Sequence, residues 1–240
     1  KIVRKNNIGI IKMEVSRNYL PKNNFLKKIR KLCNKKKIIL IFDECTSGFR
    51  QCNGGLHKVY GVNPDILVLG KALGNGYAIN AIIGRKEIMK FANNSFISST
   101  FWTEKIGYVA ALKTLEVMEK TKSWIKITSL GRIIKQKWKL LAKRNNLDIS
   151  IMGLDQIPLF VFNSPNNLKY KTFITQEMLK NNILASNVIY VCISHDKNLL
   201  NRYFKILEKI FKIISFCEKS RLDIDALLEQ DICISGMRGN

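Results

Sequence analysis

The sequence predicts an α/β first half with mainly parallel strands, followed by a smaller α+β second half. Three observations predict this. Two short apolar runs, Ile38–Phe42 and Ile66–Leu69, are bounded by turn formers and rich in β-branched or large aliphatic side chains, as fully buried strands are. A strand-like run, Ile8–Val15, and an amphipathic stretch precede the first of them, so strand, helix and strand form a βαβ unit with an expected right-handed crossover. Beyond residue 121, long helical patterns enclose short apolar runs separated by Gly153 and Pro158, which suits antiparallel pairing. The boundary is expected near residue 121, giving domains 1–121 and 122–240.

Taken in order, Asn18-Tyr19-Leu20-Pro21 is a turn after the first strand. From Asn23, apolar Phe25, Ile29 and Leu32 fall among Lys and Arg, predicting a helix with one buried stripe. After Phe42 come turn-rich segments, Thr46-Ser47-Gly48-Phe49-Arg50 and Asn53-Gly54-Gly55, and Gly61–Asp65 leads into the strand Ile66–Leu69. Ile79–Gly84 is a further apolar run, Arg85–Ala92 a helix and Asn93–Thr100 a polar loop. A long helix starts near Thr103, with Ala110, Ala111, Leu115 and Met118 as its stripe. A second runs from Ser123 to Arg144. Strands are predicted at Ile149–Met152, Leu159–Phe162 and Val188–Ile193, and helices at Thr172–Lys180, Asn198–Phe216 and Ile224–Glu229. The helix at Asn198–Phe216 should turn Leu199, Leu200, Tyr203, Leu207, Ile210 and Ile214 inward.

Composition narrows the function. At 46% hydrophobic residues, the 240-residue chain can bury a real core. No apolar run approaches the ~20 residues of a membrane helix. KIVRKNN opens no secretory signal, and a start without Met close to a strand points to a piece of a longer protein. The net charge of +23 raises a nucleic-acid partner as a reading. The lysines are dispersed, however, and no basic stripe with interleaved aromatics is present. Six cysteines form no C-x-x-C pair, and His57 and His195 lie far apart, so no metal site is expected. Reduced thiols in a cytoplasmic protein are.

The candidate chemistry lies at two strand ends. In open α/β sheets, ligands sit at the carboxyl ends of the strands. Asp43 ends one strand, and Gly70-Lys71 follows the other, opening into a loop with Gly74 and Gly76. The two side chains are expected to look into one crevice. A lysine amine can form a Schiff base with an aldehyde, and a carboxylate can keep a heterocyclic nitrogen protonated. By themselves the two residues also suit a helix cap, a metal ligand, a turn or a cofactor-free Schiff-base aldolase.

The wider motifs separate these readings. IILIFDECTSGFR followed by GVNPDILVLGKALGNGYAINAIIGR strongly resembles the class III (subgroup II) pyridoxal-phosphate-dependent aminotransferases. The likeness is greatest to glutamate-1-semialdehyde aminomutase and to aminotransferase-like proteins of surface-polysaccharide synthesis. It continues through SSTFWTEKIGYVAAL and GLDQIPLF to the closing LLEQDICISGMRGN. The resemblance implies fold type I of the pyridoxal-phosphate-dependent transferases: the C-terminal part of the large domain, with a mainly parallel sheet, plus a small α+β domain. It implies pyridoxal 5′-phosphate as cofactor and amino-group transfer, as aminotransferase or aminomutase, through a Lys71 Schiff base.

By the same resemblance Lys71 is the catalytic lysine and also binds the cofactor, and Asp43 pairs with the pyridine nitrogen. Cys45 packs on the ring where many members have Val, and Thr100 binds cofactor phosphate, usually across a homodimer. Glu14 aligns with a family acid but suits a structural role. Arg50, His57, His195 and the three tryptophans are read as structural or surface residues. Family members carry a phosphate-gripping loop and a ring-stacking aromatic N-terminal to this region, and this chain contains neither. A missing N-terminal segment or companion chain is therefore expected beside a small amino donor and carbonyl acceptor, and a non-catalytic subunit of this fold is the alternative.

Overall fold

The structure, a computed structural model, describes residues 7–100 and 102–234. The chain divides into two compact units, Lys1–Lys126 and Ile127–Asn240.

In the first unit, β1 (Ile10–Glu14), β2 (Ile39–Asp43), β3 (Ile66–Leu69) and β4 (Ala81–Gly84) form one sheet in that order. The first three are parallel and β4 runs antiparallel to β3, so the sheet is mainly parallel as expected. Helix α1 (Phe25–Lys36) joins β1 to β2. Its buried residues are Leu26 and Cys33, while Phe25 is exposed, so the stripe predicted through Phe25 and Leu32 is rotated by one position. Nothing in a run of Lys with scattered apolar residues distinguishes the two phases. Asn23 and Asn24 take left-handed φ of 54° and 55°, which delays the start of α1 to Phe25.

The strands are not buried on both faces. Leu40, Phe42, Leu67 and Leu69 are buried, whereas Ile39, Ile41, Ile66 and Val68 are half-buried. Unbroken aliphatic runs conceal this alternation, because both faces carry the same residue type. Asp65, 4% exposed, ties the layers together. Its Oδ2 accepts hydrogen bonds from Leu40 N and Arg30 Nη1, both at 2.8 Å, and its Oδ1 accepts one from Arg85 Nη1 at 3.3 Å. The helix predicted at Arg85–Ala92 is a single α turn, α2 (Lys86–Met89), followed by a 3-10 turn, Lys90–Asn94. Helix α3 (Lys105–Thr121) is capped by Glu104, whose carboxylate accepts from Ile106 N and Gly107 N, and it buries Gly107, Ala111 and Met118.

The second unit contains most of α4 (Ser123–Arg144), the antiparallel pair β5 (Ile149–Met152) and β6 (Leu159–Phe162), α5 (Asn167–Lys180) and α6 (Lys197–Glu218). Trp138, Phe160, Phe162, Tyr170 and Phe211 stack edge to face in its core, at centroid separations of 4.8–5.7 Å. The Trp138 indole donates to the buried Tyr203 hydroxyl at 3.0 Å. Gly131 lets α4 pass close to the Asp155 carbonyl, which a Cβ at this position would approach to 1.6 Å.

Three expectations for this unit are corrected. Val188–Ile193 is not a strand and retains one isolated antiparallel bridge, Val188 to Leu159. Its partner stretch includes Pro158, which accepts from Ile189 N but has no N–H to return, and the Asn187 side-chain amide takes the Phe160 carbonyl. The final helix is only a 3-10 turn, Asp225–Leu227, and Leu199 is exposed at the first turn of α6. The closing Ser235–Asn240 lies outside the described residues, as does Phe101.

Candidate active site

The crevice at the carboxyl ends of β2 and β3 follows from the sheet register. Asp43 stands opposite Val68, and Glu44 N donates to the Val68 carbonyl at 2.8 Å, so the two strands are still paired as the chain leaves them. Lys71 lies three positions beyond Val68, at the start of a 3-10 turn, Lys71–Leu73, with a left-handed φ of 46°. Gly70 precedes it. A Cβ on Gly70 would lie 3.4 Å from Cys45 Sγ, so the loop after β2 and the loop after β3 touch there.

The loop after β2 is held by Glu44. Its carboxylate is completely buried and accepts from Ser47 Oγ at 3.2 Å, from His57 N at 3.0 Å and from Leu56 N, with His57 Nδ1 at 2.7 Å. A buried carboxylate is tolerable only when its lone pairs are taken up in this way. His57 therefore belongs to a satisfied internal network, as a structural reading of it required. The loop between carries Cys45 and Thr46.

Asp43 faces charge. Its Oδ2 pairs with Lys12 Nζ at 3.0 Å, and its Oδ1 accepts from Cys45 N at 3.3 Å. Partial burial pushes the Asp43 carboxyl up, but the hydrogen bonds from Lys12 and Cys45 and the Lys12 charge outweigh it and hold the carboxyl below its ordinary value. Burial and the neighbouring Asp43 push the Cys45 thiol up, with Lys71 and Lys12 opposing them. Cys45 is thus a small neutral side chain between a carboxylate and an amine. Lys71 Nζ donates to Thr46 Oγ1 at 2.6 Å, and the Thr46 carbonyl accepts from Arg50 Nε at 2.6 Å.

Three of the four expected site residues, Asp43, Cys45 and Lys71, therefore lie near one another at the carboxyl ends of β2 and β3. Thr100 is exposed in a turn ahead of α3, and among the described residues no hydrogen bond or ion pair joins it to those three. Glu14 is opposite Asp43 in the β1–β2 register, pairs with Arg17 at 3.4 Å and has a buried Oε2 without a hydrogen bond. Lys12 and Thr46 are site neighbours that sequence reasoning missed. Lys12 had a signal, as a lone cation inside an apolar strand. Thr46 had none beyond its place next to Cys45.

A mainly parallel α/β sheet with an acid and a lysine at adjacent strand ends defines a candidate aldehyde-cofactor site. Comparison with known proteins gives the class. The class-III aminotransferase family profile matches residues 18–191, and the chain belongs to that family. It is 32% identical over 201 residues to 3-aminobutyryl-CoA aminotransferase of Cloacimonas acidaminovorans, covering 81% of this chain and 49% of that protein. It is 29% identical over 210 residues to glutamate-1-semialdehyde 2,1-aminomutase of Methanocaldococcus jannaschii, with 80% and 49% covered. The chain thus spans about half the length of these relatives. In fold it is similar to the Sphingopyxis sp. MTA144 FumI protein in its PLP internal aldimine form, with a TM-score of 0.83 at 18% identity, covering 95% of this chain and 57% of that one.

The cofactor implied by this family and fold is pyridoxal 5′-phosphate. The residues present fit its ring end. A carboxylate held ionised suits a protonated pyridine nitrogen, a neutral thiol suits a ring face, and an exposed primary amine suits an aldehyde. Lys12, whose side chain is 60% exposed, can leave Asp43 Oδ2 at little cost.

Proposed function

We propose that this chain takes part in pyridoxal-phosphate-dependent amino-group transfer, between two small molecules or within one, with Lys71 as its catalytic amine. The observation that supports this best is the register that brings Asp43 and Lys71 to neighbouring ends of parallel strands with Cys45 between them. When bound, pyridoxal phosphate supplies an electron sink for bonds at the amino-bearing carbon. Lys71 would hold the cofactor at its aldehyde carbon and, when released, carry a proton at Nζ. Asp43 would keep its negative charge against the ring nitrogen. Cys45 would pack on the ring face, where a small apolar group excludes water.

Thr100 completes the proposal as a phosphate ligand supplied across a homodimer, which accords with its exposure and its distance in sequence from Lys71. Residues 1–121 form the C-terminal part of a cofactor-binding large domain and 122–240 a small domain. The chain works in the cytoplasm on an amino donor and a carbonyl acceptor, together with the phosphate-gripping segment that its longer relatives carry. The test is to mix the chain with pyridoxal phosphate, reduce with borohydride and find the labelled peptide by mass. Label confined to Lys71, and lost in Lys71→Ala, is expected. Label concentrated on a lysine other than Lys71 would overturn the assignment, whereas label spread over many lysines, or none, would mean that the phosphate-gripping segment is required or that the chain is a non-catalytic subunit.

A further inference from the structure

The Lys71 amine is not simply displayed at the end of β3. It donates to the Thr46 hydroxyl at 2.6 Å, and the Thr46 main chain is itself gripped by Arg50 Nε at 2.6 Å. Thr46 also lies only two residues after Glu44, the buried carboxylate that anchors its loop to Leu56 and His57. The hydroxyl is therefore carried on a fixed frame, while Lys71 has a flexible four-carbon side chain and is exposed. A flexible donor bound to a rigid acceptor takes its direction from the acceptor.

We infer that Thr46 is a positioning residue for Lys71: its hydroxyl holds Nζ beside Cys45, on the side of the crevice where Asp43 stands. This rests on Lys71 being the reactive amine. A hydroxyl suits the task better than a carboxylate or an amide. It accepts a hydrogen bond from an ammonium and, by rotating about its C–O bond, donates one to a neutral amine. A lysine that alternates between the two forms while moving a proton keeps one partner throughout. A carboxylate could only accept, and it would fix the amine as a charged ion pair. The backbone supports the same reading, since Lys71 has a left-handed φ of 46°, which few side chains other than Asn and Asp adopt readily, and so enters the crevice from a constrained main chain.

The test needs no bound cofactor. The chain is treated with a limiting amount of acetic anhydride, and acetylation of Lys71 is read by peptide mass against Lys58 and Lys113 as internal references. Releasing an amine from a hydrogen bond worth ~0.5–1.5 kcal/mol should raise its relative reactivity by about 2- to 12-fold. Thr46→Val, which keeps the shape and removes the hydroxyl, is expected to raise Lys71 acetylation by that factor and leave Lys58 and Lys113 unchanged. Thr46→Ser is expected to return Lys71 to the wild-type rate, which a purely structural role for the methyl group would not do. Equal Lys71 reactivity in the wild type and Thr46→Val overturns the inference, as does a Thr46→Ser variant that behaves like Thr46→Val. If Thr46→Val unfolds, shown by a general rise at all three lysines, Thr46→Ser with added Thr46→Ala decides by the same comparison. Borohydride trapping of pyridoxal phosphate on the wild type is run in parallel. Its failure with a positive acetylation result shows that this chain alone does not load the cofactor and leaves the Thr46–Lys71 contact standing.

Discussion

Replacing Asp65 with Ala should unfasten the first unit before anything else does. Among the described residues, Asp65 is the one side chain that accepts from α1, from β2 and from the residue after β4 together, through Arg30, Leu40 N and Arg85. In the variant, Leu40 N–H loses its partner on a residue that is fully buried, which costs about 1–3 kcal/mol. Arg30, whose side chain is 18% exposed and whose Nε is already buried without a hydrogen bond, loses its carboxylate. Breaking such a pair costs about 3–5 kcal/mol when it is fully buried, less here because water reaches part of the guanidinium. Arg85, 60% exposed, adds under about 1 kcal/mol. The expected loss is about 3 kcal/mol or more, a large share of a stability of about 5–15 kcal/mol. Urea unfolding gives the magnitude. Hydrogen exchange gives its location, with protection lost at residues 38–43 and kept at residues 159–162.

The pH dependence has a defined sign. Burial pushes the Asp65 carboxyl up, but Leu40 N–H, Arg30 and Arg85 outweigh it, so its folded value lies below the unfolded one. Its contribution is complete above the unfolded value of about 3.9 and is lost as pH falls through the folded value. The variant should lack that part of the acid transition. A loss below about 1 kcal/mol with unchanged protection at 38–43 would refute the reasoning.

Two further changes test other contacts. Lys12→Met removes the hydrogen bond and charge that hold the Asp43 carboxyl down, so its titration followed by NMR should move upward; an unmoved midpoint would show that Lys12 is not its partner. Gly131→Ala forces a Cβ against the Asp155 carbonyl on a backbone also tied down by Arg132 and Lys135, at 2.9 and 3.0 Å from the Asp155 carboxylate. Overpacking of this kind costs about 1–3 kcal/mol, and a wild-type melting temperature would contradict the close approach.

The strands of the sheet were legible because Ile38–Phe42 and Ile66–Leu69 are short, aliphatic and punctuated by turn formers. That each ended next to a chemically useful residue was legible too, since a strand's carboxyl end is defined once its direction is known. The phase of α1 was not, because Leu26 and Phe25 are equally apolar and only the sheet beneath selects between them. Val188–Ile193 reads as a strand by composition, yet whether it joins a ladder depends on its partner, and that partner contains Pro158. The long helix expected to start near Thr103 starts at Lys105, because Glu104 is its cap. A carboxylate there satisfies N–H groups from outside the first turn, a role that propensity does not separate from the turn itself.

The contacts that set the site's behaviour were the least legible, for one physical reason. Lys12 meets Asp43 across 31 positions and Lys71 meets Thr46 across 25, and each contact exists only because three parallel strands lie in register. Spacing in the sequence reports what one element can present, not what another element brings to it. Asp43 and Lys71 could be proposed from their own strands, but the Lys12 that helps hold the first carboxyl below its ordinary value comes from β1. The direction of the second depends on a loop anchored by Glu44, whose side chain looks away from the crevice into Leu56 and His57. The geometry at this strand end therefore rests on a buried carboxylate that, among the described residues, forms no hydrogen bond to the side chains of Asp43, Cys45 or Lys71.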